Sequence, residues 1–234
     1  MEEMWKEIEA KRLAVLEKHM ANGVIFEGVD GVVIEESVAI GAGTRISPNV
    51  TLRGDTSVGK ECVLTGGTVL ENCSVGDRTV IRSSECFGAR IGSGVSIGPF
   101  AHLRPGTVLG DRVHVGNFVE IKNSSVGEGT AVAHLTYVGD SDVGRHVNFG
   151  CGCVTVNYDG EHKHRCRIGD YAFIGCNANL IAPVEVGEQA FIAAGSTITD
   201  GVEDGGFAIA RARQVNKPGL GARKLTAYVR KKNG

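Results

Sequence analysis

The sequence predicts an all-β fold, a coil of short parallel strands with one helix before it and an irregular basic tail after it. Three observations carry that prediction. Aliphatic residues recur at every sixth position through most of the chain, glycine is in excess, and the helical pattern is confined to the first twenty residues. The 234 residues are 42% hydrophobic and 22% charged with a net charge of −2, enough apolar material for one or two packed domains and too little positive charge for a general nucleic-acid binder. Thirty-four glycines are about twice the ordinary share of ~7%, and with 5 prolines and no collagen-like triplet they point to backbone freedom needed at many regular positions. No stretch approaches the roughly 18 apolar residues of a bilayer-crossing helix, and the first twenty residues are charged where a secretory signal would be apolar. A cytoplasmic chain without membrane insertion is the expectation. Its seven cysteines, an odd number with no C-x-x-C pair, read as reduced thiols.

Residues 1–23 form the first segment. Met4, Trp5, Ile8, Val15, Leu16 and Met20 share one stripe of a charged stretch that stops at Asn22-Gly23, which predicts a helix over 2–21 lying across the first turn of the coil. The coil itself, over 24–204, follows from the beat of Ile34, Ile40, Ile46, Leu52, Val58, Leu64 and Leu70. The beat slips by one at Val75, resumes at Ile91 after a ten-residue step from Ile81, and ends on the run Ile168 to Ile198. A helix wants spacings of three and four and a half-buried strand wants two, so a period of six fits a coil of short strands and tight turns. Three hexads per turn give about nine rungs between residues 34 and 198, each burying what its neighbour alone cannot. Glycines one place after the aliphatic, such as Gly41, Gly59, Gly76, Gly92 and Gly127, are expected to supply unusual turn angles. Two spans, 82–90 and 155–167, break the beat and are expected to bulge out of the coil. The last segment, 205–234, has eight basic and no acidic residues after Ala210 and reads either as a solvated tail or as an anion-binding one, capping the far end.

The local motifs are narrower than the period. IGPFAHLRPGTVLGD (97–111), VGNFVEIKNSSVGEG (115–129), HLTYVGD (134–140), VNYDG (156–160) and IARARQ (209–214) resemble the acetyltransferase half of the bifunctional N-acetylglucosamine-1-phosphate uridyltransferase/glucosamine-1-phosphate acetyltransferase family. EKHMANGV at 17–24 resembles that family's linker into its coil, while nothing resembles its glycine-rich nucleotide loop. The resemblance implies a left-handed hand for the β-helix, against the general right-handed rule for parallel crossovers. It also implies a homotrimer with active sites between subunits, acetyl-CoA as co-substrate, an amino-sugar phosphate as acceptor, no metal and no uridyltransferase activity.

Carried residue by residue, the resemblance makes His134 the general base for the acceptor amine, with Glu120 orienting it. Taken alone, any one of the seven histidines is more often structural, and only the HLTY motif singles out His134. Arg104, Lys122, Tyr137 and Lys163 match positions that hold the sugar phosphate, a task suited to cationic forks, and Asn148 matches a sugar contact. Asn157 and Tyr158 match positions near the acetyl group, on a loop that reaches towards a neighbouring subunit. Cys151, Cys176, Ala194 and Arg211 match further acetyl-CoA contacts. Cys151 and Cys176 depart from the family's alanine and serine, and a thiol is a weak hydrogen-bond partner, so a side-chain bond at Cys176 is lost while backbone contacts survive. Other readings are acetylation of a different amino-sugar phosphate, such as galactosamine 1-phosphate, and a non-catalytic trimeric scaffold or sugar-nucleotide sensor.

Overall fold

The computed structural model describes residues 2–233; Met1 and Gly234, the outermost residues of the expected end segments, lie outside it. Helix α1 runs from Glu2 to Ala21. It ends where the Asn-Gly pair stops it: Gly23 takes φ +85°, its N–H bonds the Met20 carbonyl and the Val24 N–H bonds that of His19. That pair of bonds closes the orphan carbonyls of a helix C-terminus. Only the middle of the apolar stripe is covered. Leu16 is buried and Val15 half-buried, with His19 buried beside them, but Met4, Trp5, Ile8 and Met20 are exposed. The reason lies at Arg12, whose Nη1 donates to the carbonyls of Val29 and Val32 at 3.0 Å each. This is where the helix is tied to the loop entering the first rung, and the residues before it gain no apolar cover. Burial lowers the pKa of His19, which favours its neutral form.

Every third strand pairs in parallel, so the chain winds through three sheets of 11, 10 and 9 strands. Sheet I begins at Ile25–Phe26 and ends at Phe207–Ala208, sheet II runs from Val33–Ile34 to Thr197–Ile198, and sheet III from Ala39–Ile40 to Val184–Val186. At ~4.8 Å per rung the coil is roughly 50 Å tall. Its strands begin at Ile25, inside the expected 24–204, and end at Ala208, just beyond it. The register is in step, Leu52 facing Leu70 and Ile97 facing Val115, so each sheet sends one aliphatic column inward. At the corners Thr44, Thr79 and Thr130 are buried, each donating to a glycine carbonyl one rung on (Gly59, Gly92, Gly144). The same oxygens accept the N–H groups of Cys62, Val95 and Val147, so buried hydroxyls tie rung to rung without leaving a polar group unpaired.

Two expectations are corrected. Of the glycines that follow the aliphatics, Gly98 takes the expected positive φ (+91°), with other left-handed turn positions on Asn49, Glu61, Arg78 and Arg112 among others, whereas Gly41, Gly59, Gly76, Gly92 and Gly127 have ordinary φ. They are glycine for want of space. A Cβ on Gly127 would lie 2.5 Å from the Gly144 carbonyl carbon and 2.6 Å from its oxygen, so successive rungs stack on this edge backbone to backbone. Nor does the span 82–90 leave the coil. Strand Glu85–Phe87 sits inside sheet II, with Cys86 fully buried between Leu70 and Leu103. The ten-residue step is two steps of five, with a thiol instead of an aliphatic group at the core position between them. The second span does loop out, leaving after Val156 in sheet II and returning at Cys166 beside Ser141 in sheet III.

The C-terminal segment differs as well. Its first residues finish the coil, Phe207–Ala208 pairing with Phe191–Ile192 as the last strand of sheet I and Ala208 half-buried. Beyond Arg211 the described side chains are exposed apart from a half-covered Leu220, and the chain is partly helical, with α2 from Leu220 to Asn233. Ala222, Arg223, Lys224, Leu225 and Thr226 are sound helix formers once Gly219 and Pro218 have started the turn, which is why the tail coils on its own. No helix among the described residues is long and apolar enough to cross a membrane.

The glycine edge sets a measurable limit. Gly127→Ala should lower stability by about 1–3 kcal/mol, read as a fall in the urea midpoint, because the added methyl meets backbone that cannot yield. Gly221→Ala in α2, where a Cβ meets open space, should leave that midpoint unchanged. A wild-type midpoint for the Gly127 variant would show that the rungs separate there without loss.

Candidate active site

Strand Ala131–His134 closes a rung of sheet I, and its last residue turns its side chain outward at the corner where Leu135 takes φ +46°. One rung earlier, in register, lies Asn117. His134 Nδ1 is 2.9 Å from Asn117 Oδ1. With the amide oxygen accepting, the ring proton is held on Nδ1 and the Nε2 lone pair is left for an acid outside the ring. The orienting residue is therefore Asn117, which the sequence reading passed over within its VGNFVE motif. Glu120, expected in that role, instead accepts a bond from Arg104 Nη1 at 2.9 Å. The reason is register: Glu120 stands on sheet II between His102 and Tyr137, around the corner from His134.

Sheet II and the returning loop assemble a polar cluster. Arg104 and Lys122 are neighbours on successive rungs, with the Arg104 N–H bonded to the Ile121 carbonyl. Pro105 and Gly106 (φ +82°) turn the chain directly after Arg104. The loop from Asn157 to Arg165 folds back over this face, pinned by a bridge between Tyr158 and Lys163. Asp159 accepts the N–H groups of Glu161 and His162 and lies 2.7 Å from His164 Nε2; these bonds hold its carboxyl well below the usual range. At the far end Arg165 grips Asp142 and donates to the Asn123 carbonyl. Lys163 is thereby set against Lys122, and that contact with a like charge lowers its pKa. Lys122 moves the other way, raised by its hydrogen bond with the Lys163 amine and by the charge of Asp140, whose Oδ2 is 3.5 Å from its Nζ.

Asp140 is 4% exposed. Burial works to raise its carboxyl, but bonds from Asn123 Nδ2 (2.5 Å) and Asn157 Nδ2 and the Lys122 charge outweigh it, and the pKa is lowered. Asn157 is also 3.5 Å from the Tyr137 hydroxyl, so it belongs to this cluster through its side chain. One buried carboxylate thus stands among three cationic groups, Arg104, Lys122 and Lys163, with Glu120 alongside Arg104. Asn148 is not part of it; it lies exposed on sheet I beside Ala131.

A third feature runs along the coil axis. The register of sheet I, carried to the corner, sets His134 beside Cys151, Cys151 beside Cys176, and Cys176 beside Ala194. The backbone follows it: the Asn177 N–H bonds the Cys151 carbonyl and the Gly195 N–H bonds that of Cys176, both at 2.8 Å. Arg211 Nη1 donates to the Ala194 carbonyl at 3.0 Å. Four of the expected acetyl-CoA positions therefore form one track leading up from His134. Tyr158 stands off this line, exposed on the loop with its hydroxyl bonded to the Gly160 carbonyl. Among the described residues no group of three or more His, Cys, Asp or Glu is arranged to hold a metal ion.

Residues 88–123 and 165–200 match the bacterial transferase hexapeptide (six repeats) family. The coil and its repeats make the chain a left-handed parallel β-helix of the hexapeptide-repeat transferase class. Within that class it is similar to part of the proteins named bifunctional protein GlmU. It is 50% identical over 214 residues to that of Listeria monocytogenes serotype 4b (strain F2365), covering 90% of this chain and 47% of the relative. To the Geobacillus sp. (strain WCH70) protein it is 50% identical over 206 residues (88% and 45%), and to that of Streptococcus thermophilus (strain CNRZ 1066) 48% over 213 residues (91% and 46%). The chain thus spans about half the length of the relatives it matches. In the solved structure of the Francisella novicida UDP-N-acetylglucosamine acyltransferase the fold recurs with a TM-score of 0.51 at 18% identity, over 87% of this chain and 73% of that one.

The buried acid of the cluster has a measurable signature. Because its folded pKa lies below the unfolded value, Asp140 contributes stability that is present above about pH 4 and is lost as pH falls through the folded value. Asp140→Asn should therefore flatten the acid side of a plot of urea midpoint against pH between about 5 and 2.5, by an amount equal to that one carboxyl's share. An unchanged acid slope would mean that Asp140 is no more strongly held in the folded chain than in the unfolded one.

Proposed function

We propose that the chain is an acetyltransferase that moves the acetyl group of acetyl-CoA to the 2-amino group of glucosamine 1-phosphate, a step towards UDP-N-acetylglucosamine for the cell envelope. The observations that support it most directly are three features on adjoining parts of the same rungs. His134 has its Nδ1 occupied by Asn117 and its Nε2 free, the thiol and alanine track starts at its side, and the cationic cluster opens on the adjoining sheet. A free histidine nitrogen is what an amine needs to lose its proton as it attacks. The nitrogen adds to the thioester carbonyl, His134 Nε2 takes the amine proton, and collapse of the tetrahedral species expels the CoA sulfur, which is protonated in turn. Arg104, Lys122 and Lys163 would pair with the phosphate dianion, and the close contact of two ammonium groups is relieved once that anion lies between them. Tyr137 would donate its hydroxyl to the same anion, and Asn148 would meet the sugar. Cys151, Cys176, Ala194 and Arg211 would line the cofactor's path, with Asn157 and Tyr158 near the acetyl end. Part of this reading comes from the relatives: about half of each GlmU protein is aligned to this chain, which itself carries the transferase repeats.

The reading is tested by thiol release from acetyl-CoA, with glucosamine 1-phosphate, galactosamine 1-phosphate and free glucosamine as acceptors. Glucosamine 1-phosphate should be preferred over the free sugar by roughly a thousandfold in kcat/KM, since two or three lost charge-assisted bonds are worth roughly 1.5–3 kcal/mol each. His134→Ala should lower kcat by about two to four orders of magnitude. Arg104→Ala should shrink the preference for the phosphorylated sugar. Equal use of both sugars by the wild type removes the phosphate clamp, a His134 variant with most of its kcat removes the base, and no thiol release with any acceptor favours a scaffold.

The same reading makes the active unit a cytoplasmic homotrimer with sites between subunits. Sheet I offers a flat apolar strip for such packing: Phe173, Phe191 and Phe207 stack at 4.7 and 5.4 Å between ring centres, and Ile209 is exposed beyond them. Sedimentation equilibrium should return the mass of three chains. A monomer with full activity would exclude a shared site.

A further inference from the structure

The two cysteines on the track are not equivalent to the other five. Cys62, Cys73, Cys86, Cys153 and Cys166 are buried, whereas Cys151 is half-buried and Cys176 exposed. Burial pushes the thiols of Cys153 and Cys166 up to about 11 and that of Cys86 well above its ordinary value, which keeps them protonated and inert. Cys151 and Cys176 are also cross-rung neighbours, the register of Asn148 with Phe173 carrying on to set one beside the other. In-register neighbours on parallel strands lie ~4.8 Å apart. That separation is inside the roughly 4.4–6.8 Å that a disulfide spans between Cα atoms. The Cys176 side chain leans towards the lower rung: a Cβ on Gly150, the residue before Cys151, would be 2.9 Å from the Cys176 Sγ.

We infer that Cys151 and Cys176 form a dithiol modification site whose substrates are low-molecular-weight disulfides, and that its closure obstructs the acetyl-CoA track. The exposed Cys176 thiolate attacks one sulfur of the disulfide, forming a mixed disulfide and releasing one small thiol. Cys151, deprotonated, then attacks the Cys176 sulfur and expels the second small thiol. Two protein thiols are oxidised by two electrons, the small disulfide is reduced to two thiols, and the two protons end on them. The thiol chemistry stands on the cysteine geometry alone; the obstruction rests on the acetyl-CoA reading given above.

The test incubates the folded full chain with glutathione disulfide, blocks residual thiols with N-ethylmaleimide, and follows intact mass and peptides. The wild type should lose the mass of two hydrogens and yield one linked pair, Cys151 with Cys176, reversed by dithiothreitol. Cys151→Ser should stop at one glutathione on Cys176, and Cys176→Ser should react at least tenfold more slowly. Saturating acetyl-CoA should slow closure at least tenfold in the wild type. No linkage, a linkage to another cysteine, or a glutathione adduct that persists on wild-type Cys176 overturns the dithiol site. Linkage that forms at an unchanged rate under acetyl-CoA leaves the dithiol intact and overturns its position on the cofactor's path, so the two failures are told apart without any activity measurement.

Discussion

The whole molecule depends on rungs that stack in register with backbone against backbone along one edge. Parallel pairing at that spacing makes residues 17 or 18 apart in sequence immediate neighbours, as in the Ser37 to Gly54 and Cys62 to Thr44 hydrogen bonds. No rung buries its own aliphatic residues; each is closed by the one above and the one below. The same contact that stabilises the coil thereby addresses side chains to one another. Asn117 finds His134, Arg104 finds Lys122, and Cys151 finds Cys176 by counting one turn along the chain. A slip of one residue in any rung changes which side chain meets which, so the positions of slips matter as much as the beat.

The fold was readable because burial repeats. A period of six leaves one aliphatic residue per strand, and sheets I, II and III are those columns. What escaped was chemistry that the period does not encode. Cys86 filled a core position without being aliphatic, and the glycines were needed for their missing Cβ, which looks the same in sequence as a need for positive φ. The turn angles themselves fell on residues such as Glu61 and Arg112 that carry no turn signature. At the N-terminus the helix bounds followed from the stripe and the Asn-Gly stop, but the stripe says nothing of how far the coil reaches beneath it. The C-terminal helix was missed because a run of basic residues reads as solvated whatever its backbone does.

The candidate site divides in the same way. His134, Arg104, Lys122, Tyr137 and Lys163 came from motifs, and residue chemistry alone would have left each as a surface group. Asn117 and Asp140 lay inside quoted motifs yet carried no label, since their roles appear only when the rungs are stacked. Asp140 is the clearer case: an acid beside a glycine reads as a turn residue, but folding buries it among Asn123, Asn157 and Lys122, where it fixes the two ends of the cluster together. The error at Glu120 has the same root. Sequence proximity to the base motif suggested a partner, while the corner between sheets I and II sends the two side chains to different faces.

The returning loop separates two kinds of change. Between Arg145 and Asp170 the step to the next rung takes 25 residues, yet Ser141 still meets Cys166 and Val143 still meets Ile168. The coil therefore tolerates an insertion of arbitrary content provided both ends re-enter in phase. Lys163 rides on that insertion, whereas His134 and Asn117 are embedded in the ladder. Variation in the loop can alter the cationic face without disturbing the histidine, so under the proposed function acceptor preference and proton transfer are free to drift independently over evolutionary time.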